Sequence, residues 1–249
     1  LPGASEGYLS CRRVVVQQNV SRRIMEAFGE ALRALNSERL PFVIGGAFAV
    51  HYYSGAWRNT NDLDIYIERN YLRDAISILD AQGFRDFGEM AAGDHEWIYH
   101  ALKDHALIDL IWQPPNHLWP VDESFYRRGV EGSFAGVPVR FIPPDELVWA
   151  KIFTMNLHRC DWPDIFKIIR SCPDQLDWRY LLDKMGSHWP VLLSFVVLFE
   201  WAYPSEAECI PRVIREELFS RTTRLAAMPG APIREAILDP WVYTRPVSP

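Results

Sequence analysis

Lysine is almost missing from this 249-residue chain: only Lys103, Lys151, Lys167 and Lys184 are lysine, against 22 arginines. Arginine suits bidentate recognition of phosphate, but a base-composition bias gives the same excess, since Ala and Pro are abundant too. Cysteine is sparse as well. Cys11, Cys160, Cys172 and Cys209 form no C-x-x-C pair, which points away from a cysteine zinc site and from a disulfide framework. Free thiols in a reducing cytoplasm are the expectation. No apolar run approaches the roughly 20 residues that cross a bilayer. The longest, Val191 to Phe199, ends at Glu200, and Val14 to Val16 is too short for the core of a signal peptide. The first residue is Leu1 rather than Met, so trimmed or added residues are expected there. Repeats and low-complexity tracts are missing too. A net charge of −6 argues against a broad nucleic-acid surface.

What is present reads as an ordinary globular protein, 49% apolar and 23% charged. Helical spacing of Ile24, Met25, Phe28, Ala31, Leu32 and Leu35 predicts a helix capped by Ser21. Pro41 to Ile44 reads as a buried strand, Ala47 to Tyr53 as a helix closed near Gly55, and Leu63 to Ile67 as a second strand. Tyr71 to Gln82 is an amphipathic helix stopped by Gly83. Glu96–Leu102 and Ala106–Trp112 are adjacent strands joined through Lys103-Asp104-His105, and Val137–Ile142 is a further strand. From there the pattern is helical: Glu146–Leu157, Trp162–Ser171, Trp178–Met185, Trp189–Tyr203 and Pro211–Leu225. Residues 1–12 carry little pattern, and the proline-rich tail from Pro229 is expected to wrap the surface. The expected architecture is α/β (α+β), a mixed sheet flanked by helices and followed by a helical C-terminal half. Pro143-Pro144 is the joint, separating a unit over 13–142 from a helical one over 143–249.

The densest chemistry lies between Gly45 and Ile65. Gly45-Gly46 offers bare backbone N–H groups to an anion at the start of a helix. Sixteen residues after Gly46, Asp62 and Asp64 stand one residue apart on a strand and so share a face. Asp109 sits inside the apolar run Leu107 to Trp112, where an ionised carboxylate is costly unless paired or metal-bound. If its strand adjoins that of Asp62 and Asp64, three carboxylates converge on one edge. Oxygen-rich sites of this kind suit Mg²⁺ and nucleotide phosphates. The competing reading has Asp62 capping a turn, Asp64 solvated and Asp109 paired with arginine.

The string Gly45-Gly46, Arg58-x-Thr60-x-Asp62-x-Asp64, with Asp109 on a later strand, resembles the DNA polymerase β-like nucleotidyltransferase superfamily. It looks most like the small bacterial branches of abortive-infection toxins and of lincosamide or aminoglycoside nucleotidyltransferases. The likeness covers about residues 40 to 170. It implies a nucleotidyltransferase fold and an NTP donor. Two Mg²⁺ ions, with Mn²⁺ as a substitute, would be held by Asp62, Asp64 and Asp109, with Asp109 serving the catalytic one. Gly45 and Gly46 would meet the β- and γ-phosphates, through backbone alone, since many members have Gly-Ser here. Arg58 and Thr60 would brace the loop, and Lys151, on the helix begun by Pro144-Asp145-Glu146, would approach the nucleotide. Arg159-Cys160-Asp161-Trp162-Pro163-Asp164-Ile165 resembles the family's Arg-x-Lys-Asp-x-x-Asp-Ile stretch, with Cys160 where lysine often stands.

The implied reaction moves an NMP to a hydroxyl acceptor with release of pyrophosphate. A small molecule fits the acidic balance and size; a tRNA end or a protein side chain are the other acceptors. No membrane partner is expected, a nucleic acid is possible but not favoured, and the expected location is cytoplasmic. The alternative is a catalytically silent nucleotide-binding or toxin–antitoxin module on the same fold. His95, His100, His105 and His117 fit no compact ligand motif and are explained by strand and loop positions. Trp149, Trp162, Trp178, Trp189 and Trp201 read as core before they read as a stacking wall. Arg212, Arg215, Arg221 and Arg224 read as a solvated face before an RNA-binding one.

Overall fold

The structure is a computed structural model that describes residues 20–57, 60–88, 96–115, 117–155 and 159–223. Arg58, His95, Cys11, Arg224, residues 1–12 and the tail from Pro229 lie outside the described residues.

Helix α1 (Arg22–Ser37) buries Ile24, Phe28, Ala31, Leu32 and Leu35, and the Ser21 hydroxyl accepts the Ile24 N–H at 3.3 Å. Then come β1 (Phe42–Ile44), α2 (Gly46–Ser54), β2 (Asp62–Ile67), α3 (Leu72–Ala81) and the short β3 (Arg85–Asp86). β4 (Ile98–Lys103) and β5 (Ala106–Ile111) form a hairpin. α4 (Glu123–Arg128) precedes a second hairpin of β6 (Val130–Phe134) and β7 (Val137–Phe141). The remainder is helical: α5 (Pro144–Thr154), α6 (Trp162–Ser171), α7 (Trp178–Met185), α8 (Trp189–Ala202) and α9 (Arg212–Arg221).

The strands form one mixed seven-stranded sheet in the order β3-β4-β5-β2-β1-β7-β6. β2 pairs parallel with β5 and β1 parallel with β7, and the remaining pairs are antiparallel. A mixed sheet with a helical C-terminal part is the expected class. Three elements gave no advance sign. β3 is exposed at both residues, β6 buries only Phe134, and six-residue α4 buries only Phe125, so none carries a readable period. α5 starts at Pro144, two residues earlier than expected, because proline suits the first turn of a helix.

Every residue of α5 except Thr154 is buried, including Asp145, Glu146 and Lys151. A helix enclosed on all sides must find a partner for each charge. Arg128 of α4 grips Asp145 through two bonds of 2.8 and 2.7 Å. Lys184 of α7 pairs with Glu146, which also accepts the Tyr180 hydroxyl at 2.5 Å. The Lys184 ammonium is further ringed by Trp119, Phe125, Trp149 and Tyr180, with centroids 4.7–5.7 Å away. Burial pushes the Lys184 pKa down and the Glu146 pKa up, and their mutual attraction opposes both shifts. One continuous apolar cluster, from Ile24 to Leu218, crosses the joint expected at Pro143.

Lys184→Met should leave buried Glu146 with only its longer 3.5 Å contact to a cation, Arg128, and lower stability by about 3–5 kcal/mol. The Lys184→Met/Glu146→Leu pair should recover most of that. Urea titrations of the three proteins measure it; a single variant within about 1 kcal/mol of wild type would show that the pair carries no such role.

Candidate active site

On β2, Leu63, Ile65 and Ile67 are enclosed on one face, which sets Asp62, Asp64 and Tyr66 on the other. β5 lies parallel beside it with Asp109 directly opposite Asp64. Residues paired across neighbouring strands share a face, so the three carboxylates meet on one patch. β4 follows, with His100 opposite Asp109. His100 Nδ1 lies 2.7 Å from Asp109 Oδ1, and the two side chains are 12% and 10% exposed. A carboxylate oxygen accepts only, so the imidazole donates. One polar row, His100–Asp109–Asp64, therefore crosses three strands.

Confining like charges has an electrostatic consequence. Burial first, then the charges of Asp62 and Asp109, push the Asp64 pKa from 3.8 up to about 7, against the pull of Arg159 and Lys151. The Thr60 hydroxyl donates to Asp62 Oδ1, which makes Thr60 a brace for the first carboxylate.

The glycine pair is explained by what lies beneath it. A Cβ on Gly45 would fall 2.2 Å from the Tyr66 ring, and one on Gly46 would fall 1.6 Å from Asp64 Oδ2. Gly46 also has φ +54, where side chains are strained. The Gly45 N–H already donates to the Asp64 carbonyl at 2.9 Å. The amide groups left without intrahelical acceptors at this turn therefore begin with Gly46, at the N-terminus of α2.

Lys151 is placed differently from Arg159. It is 3% exposed, with its ammonium 2.9 Å from Asp164 Oδ2 and 3.7 Å from Asp161 Oδ1. Arg159 holds Asp161 through Nε at 2.9 Å, yet its side chain is 47% exposed, and its charge acts on both Asp64 and Tyr66. Asp161 and Asp164 thus anchor two cations beside the carboxylates.

Sequence reading overlooked His100 as a partner of Asp109. The signal was available: a two-residue turn at Asp104-His105 pairs Lys103 with Ala106 and, three steps on, His100 with Asp109. Of the other histidines, His117 meets Gln113 and Glu96. Trp149, Trp178 and Trp189 are core, whereas Trp162 and Trp201 are exposed at 44% and 79% beside an apolar groove between α6 and α8. Among the described residues, no group of three or more His, Cys, Asp or Glu side chains is positioned to hold a metal ion by itself.

The carboxylate row and the glycine turn lie together, as the resemblance to nucleotidyltransferases implies. Residues 7–202 match the sequence model of a family described as uncharacterised nucleotidyltransferases, and the chain belongs to that family. It is similar in structure to the antibiotic-resistance factor ANT(2'')-Ia, with 17% identity, 84% of this chain and 97% of that chain covered, and a TM-score of 0.45. The lincosamide antibiotic adenylyltransferase LnuA, in its lincomycin-bound form, gives 12% identity, 61% and 96% coverage and a TM-score of 0.41. JHP933 from Helicobacter pylori gives 10% identity, 84% and 99% coverage and a TM-score of 0.41. No curated protein matches the sequence.

Two outcomes follow from the geometry. An aspartate whose folded pKa exceeds its unfolded value loses stability as pH rises between the two, here from about 4 to about 7. Asp64→Asn should therefore raise the Tm of the metal-free protein more at pH 8 than at pH 5. Equal gains at both pH values would contradict the charge argument. Separately, Gly46→Ala should cost roughly 2–4 kcal/mol, through positive φ and collision with Asp64. Gly55→Ala, at φ +67 with open space around it, should cost only about 1 kcal/mol; denaturant titration of both variants reads the difference.

Proposed function

We propose that the protein transfers an NMP from an NTP to a hydroxyl acceptor, using the Asp62–Asp64–Asp109 patch, and releases pyrophosphate. The observation that carries this is the pairing of Asp109 with Asp64 across β5 and β2. The donor set fits a divalent cation: all oxygen, on one face, and crowded enough in negative charge that the Asp64 pKa is pushed up. Mg²⁺ takes one or two protein carboxylates and completes its shell with water and substrate phosphates, so a cage of three protein ligands is not required. When bound, the cation, Mg²⁺ or Mn²⁺, would neutralise triphosphate oxygens and make the α-phosphorus more electrophilic.

The chain's own residues supply the rest. Asp62 and Asp64 would hold the cation, with Thr60 fixing the first and Asp109 adding a third oxygen ligand. Gly46 and the opening turn of α2 present N–H groups to phosphate. On the helical side Arg159 is a half-exposed cation beside Asp64, with Lys151 adding its field from within its ion pairs. Asp109 accepts the proton of the attacking hydroxyl. That oxygen bonds to the α-phosphorus, the bond to the β-phosphate bridging oxygen breaks, and its electron pair leaves with pyrophosphate. A small-molecule acceptor fits best. Arg212, Arg215 and Arg221 are tied to Glu216, Glu200 and Glu217, which leaves that face balanced rather than basic.

The test supplies each of four α-phosphate-labelled NTPs, Mg²⁺ and cell extract, and asks whether label enters small molecules, RNA or protein. Label in small molecules is expected, and Asp64→Ala should cut it on the order of 10²–10³-fold with the fold retained. Unchanged labelling in that variant would refute the assignment. Calorimetry showing no binding of any Mg²⁺·NTP would favour the silent module.

A further inference from the structure

We infer that His100 is a positioning residue for Asp109, fixing the orientation of that carboxylate for cation and hydroxyl. The inference rests on the function proposed above. The residue sits outside the glycine, Asp-x-Asp and Lys151 segments, on a different strand from every carboxylate. Its place comes from register: β4 is antiparallel to β5, His100 faces Asp109, and Asp109 in turn faces Asp64. The 2.7 Å bond from Nδ1 to Oδ1 is nearly enclosed, so water competes poorly for either partner and the contact is held rather than transient.

The geometric consequence is specific. A carboxylate free to turn about its last torsion explores a broad, roughly two-fold well. Holding Oδ1 from the β4 side fixes the carboxylate plane, and with it the direction of the second oxygen. Asp109 lies in a row with Asp64; a donor on the opposite side keeps Asp109 from swinging out of that row. Partners of this kind, which orient a ligand without touching the metal, typically affect affinity or activity by about 10–100-fold when removed.

The nitrogen that bonds is Nδ1, and this makes the inference separable from packing. Asparagine can place an amide N–H close to where Nδ1 stands, whereas glutamine reaches toward the Nε2 position. Both bury an amide of similar polarity. The experiment compares wild type, His100→Asn, His100→Gln, His100→Ala and Asp109→Asn by Mn²⁺ binding in electron paramagnetic resonance and by kcat and KM for NTP. All are read well below the Tm of the least stable variant.

His100→Ala and His100→Gln should lose about 10–100-fold in Mn²⁺ affinity and kcat with KM for NTP little changed, and His100→Asn should recover most of it. Wild-type Mn²⁺ binding and kcat in His100→Ala, or no advantage of asparagine over glutamine, would overturn the inference. If Asp109→Asn loses both signals while His100→Ala keeps them, only the role of His100 fails. If Asp109→Asn itself binds Mn²⁺ and turns over like wild type, the reading of Asp109 fails and takes this inference with it.

Discussion

A helix buried on every side that carries three charges must dictate where its neighbours go. In α5 those charges are Asp145, Glu146 and Lys151. Each leaves water only because an opposite charge arrives from another element: Arg128 from α4, Lys184 from α7, Asp161 and Asp164 from the start of α6. Removing the partner of a buried charge costs several kcal/mol where no second one stands in, as Asp161 and Asp164 do for each other at Lys151. These pairs do more than hold the helical part to the sheet. Asp161 and Asp164 set the N-terminal end of α6, and that end carries Arg159 to within electrostatic reach of Asp64. The position of a cation at the site is thus settled by ion pairs made deep inside the helical part.

The site itself runs the opposite way. Where α5 balances every charge, the β2–β5 patch gathers three carboxylates and leaves Asp64 short of positive charge. The patch costs stability in the protein alone, and a cation would return it. Functional sites commonly break local rules that the rest of the fold obeys. The glycine turn shows the same tension in steric form: Gly46 takes a strained φ so that the backbone can pass over the Asp64 carboxylate. A serine hydroxyl, which the resemblance leads one to look for at this position, would need a Cβ where Asp64 Oδ2 already is. The second glycine follows from the carboxylate beneath it.

Much of this is legible in the residues. Alternation puts Asp62 and Asp64 on one face, and the apolar run around Asp109 marks it as a carboxylate needing a reason. The mixed sheet is readable from the pattern, and the helices α6 and α7 are readable to the residue. What escapes shares a cause. His100 becomes significant through cross-strand register, and Lys151 through carboxylates ten and thirteen residues further along the chain. Neither a strand pairing nor a helix crossing leaves a periodic mark in either partner's own sequence. The resemblance sends Gly45 to a phosphate, yet its N–H is spent on the Asp64 carbonyl. The division at Pro143 follows from a change of pattern, strand to helix, and the apolar cluster runs on through it.

The same logic bears on what the protein acts upon. A polyanionic acceptor such as RNA needs unneutralised cations over an extended surface. The arginines that suggest one are distributed through the helical part, and each described member of the set lies against a glutamate: Arg212 on Glu216, Arg215 on Glu200, Arg221 on Glu217. Arg170 and Arg179 do likewise with Glu206 and Glu217. Exposed pairs of this kind add little stability, but they cancel the field that would draw a long anion. Arg159 differs in being anchored at one nitrogen while remaining half exposed beside the carboxylates. One positive charge therefore stands beside the carboxylates, where the triphosphate of the proposed donor would lie.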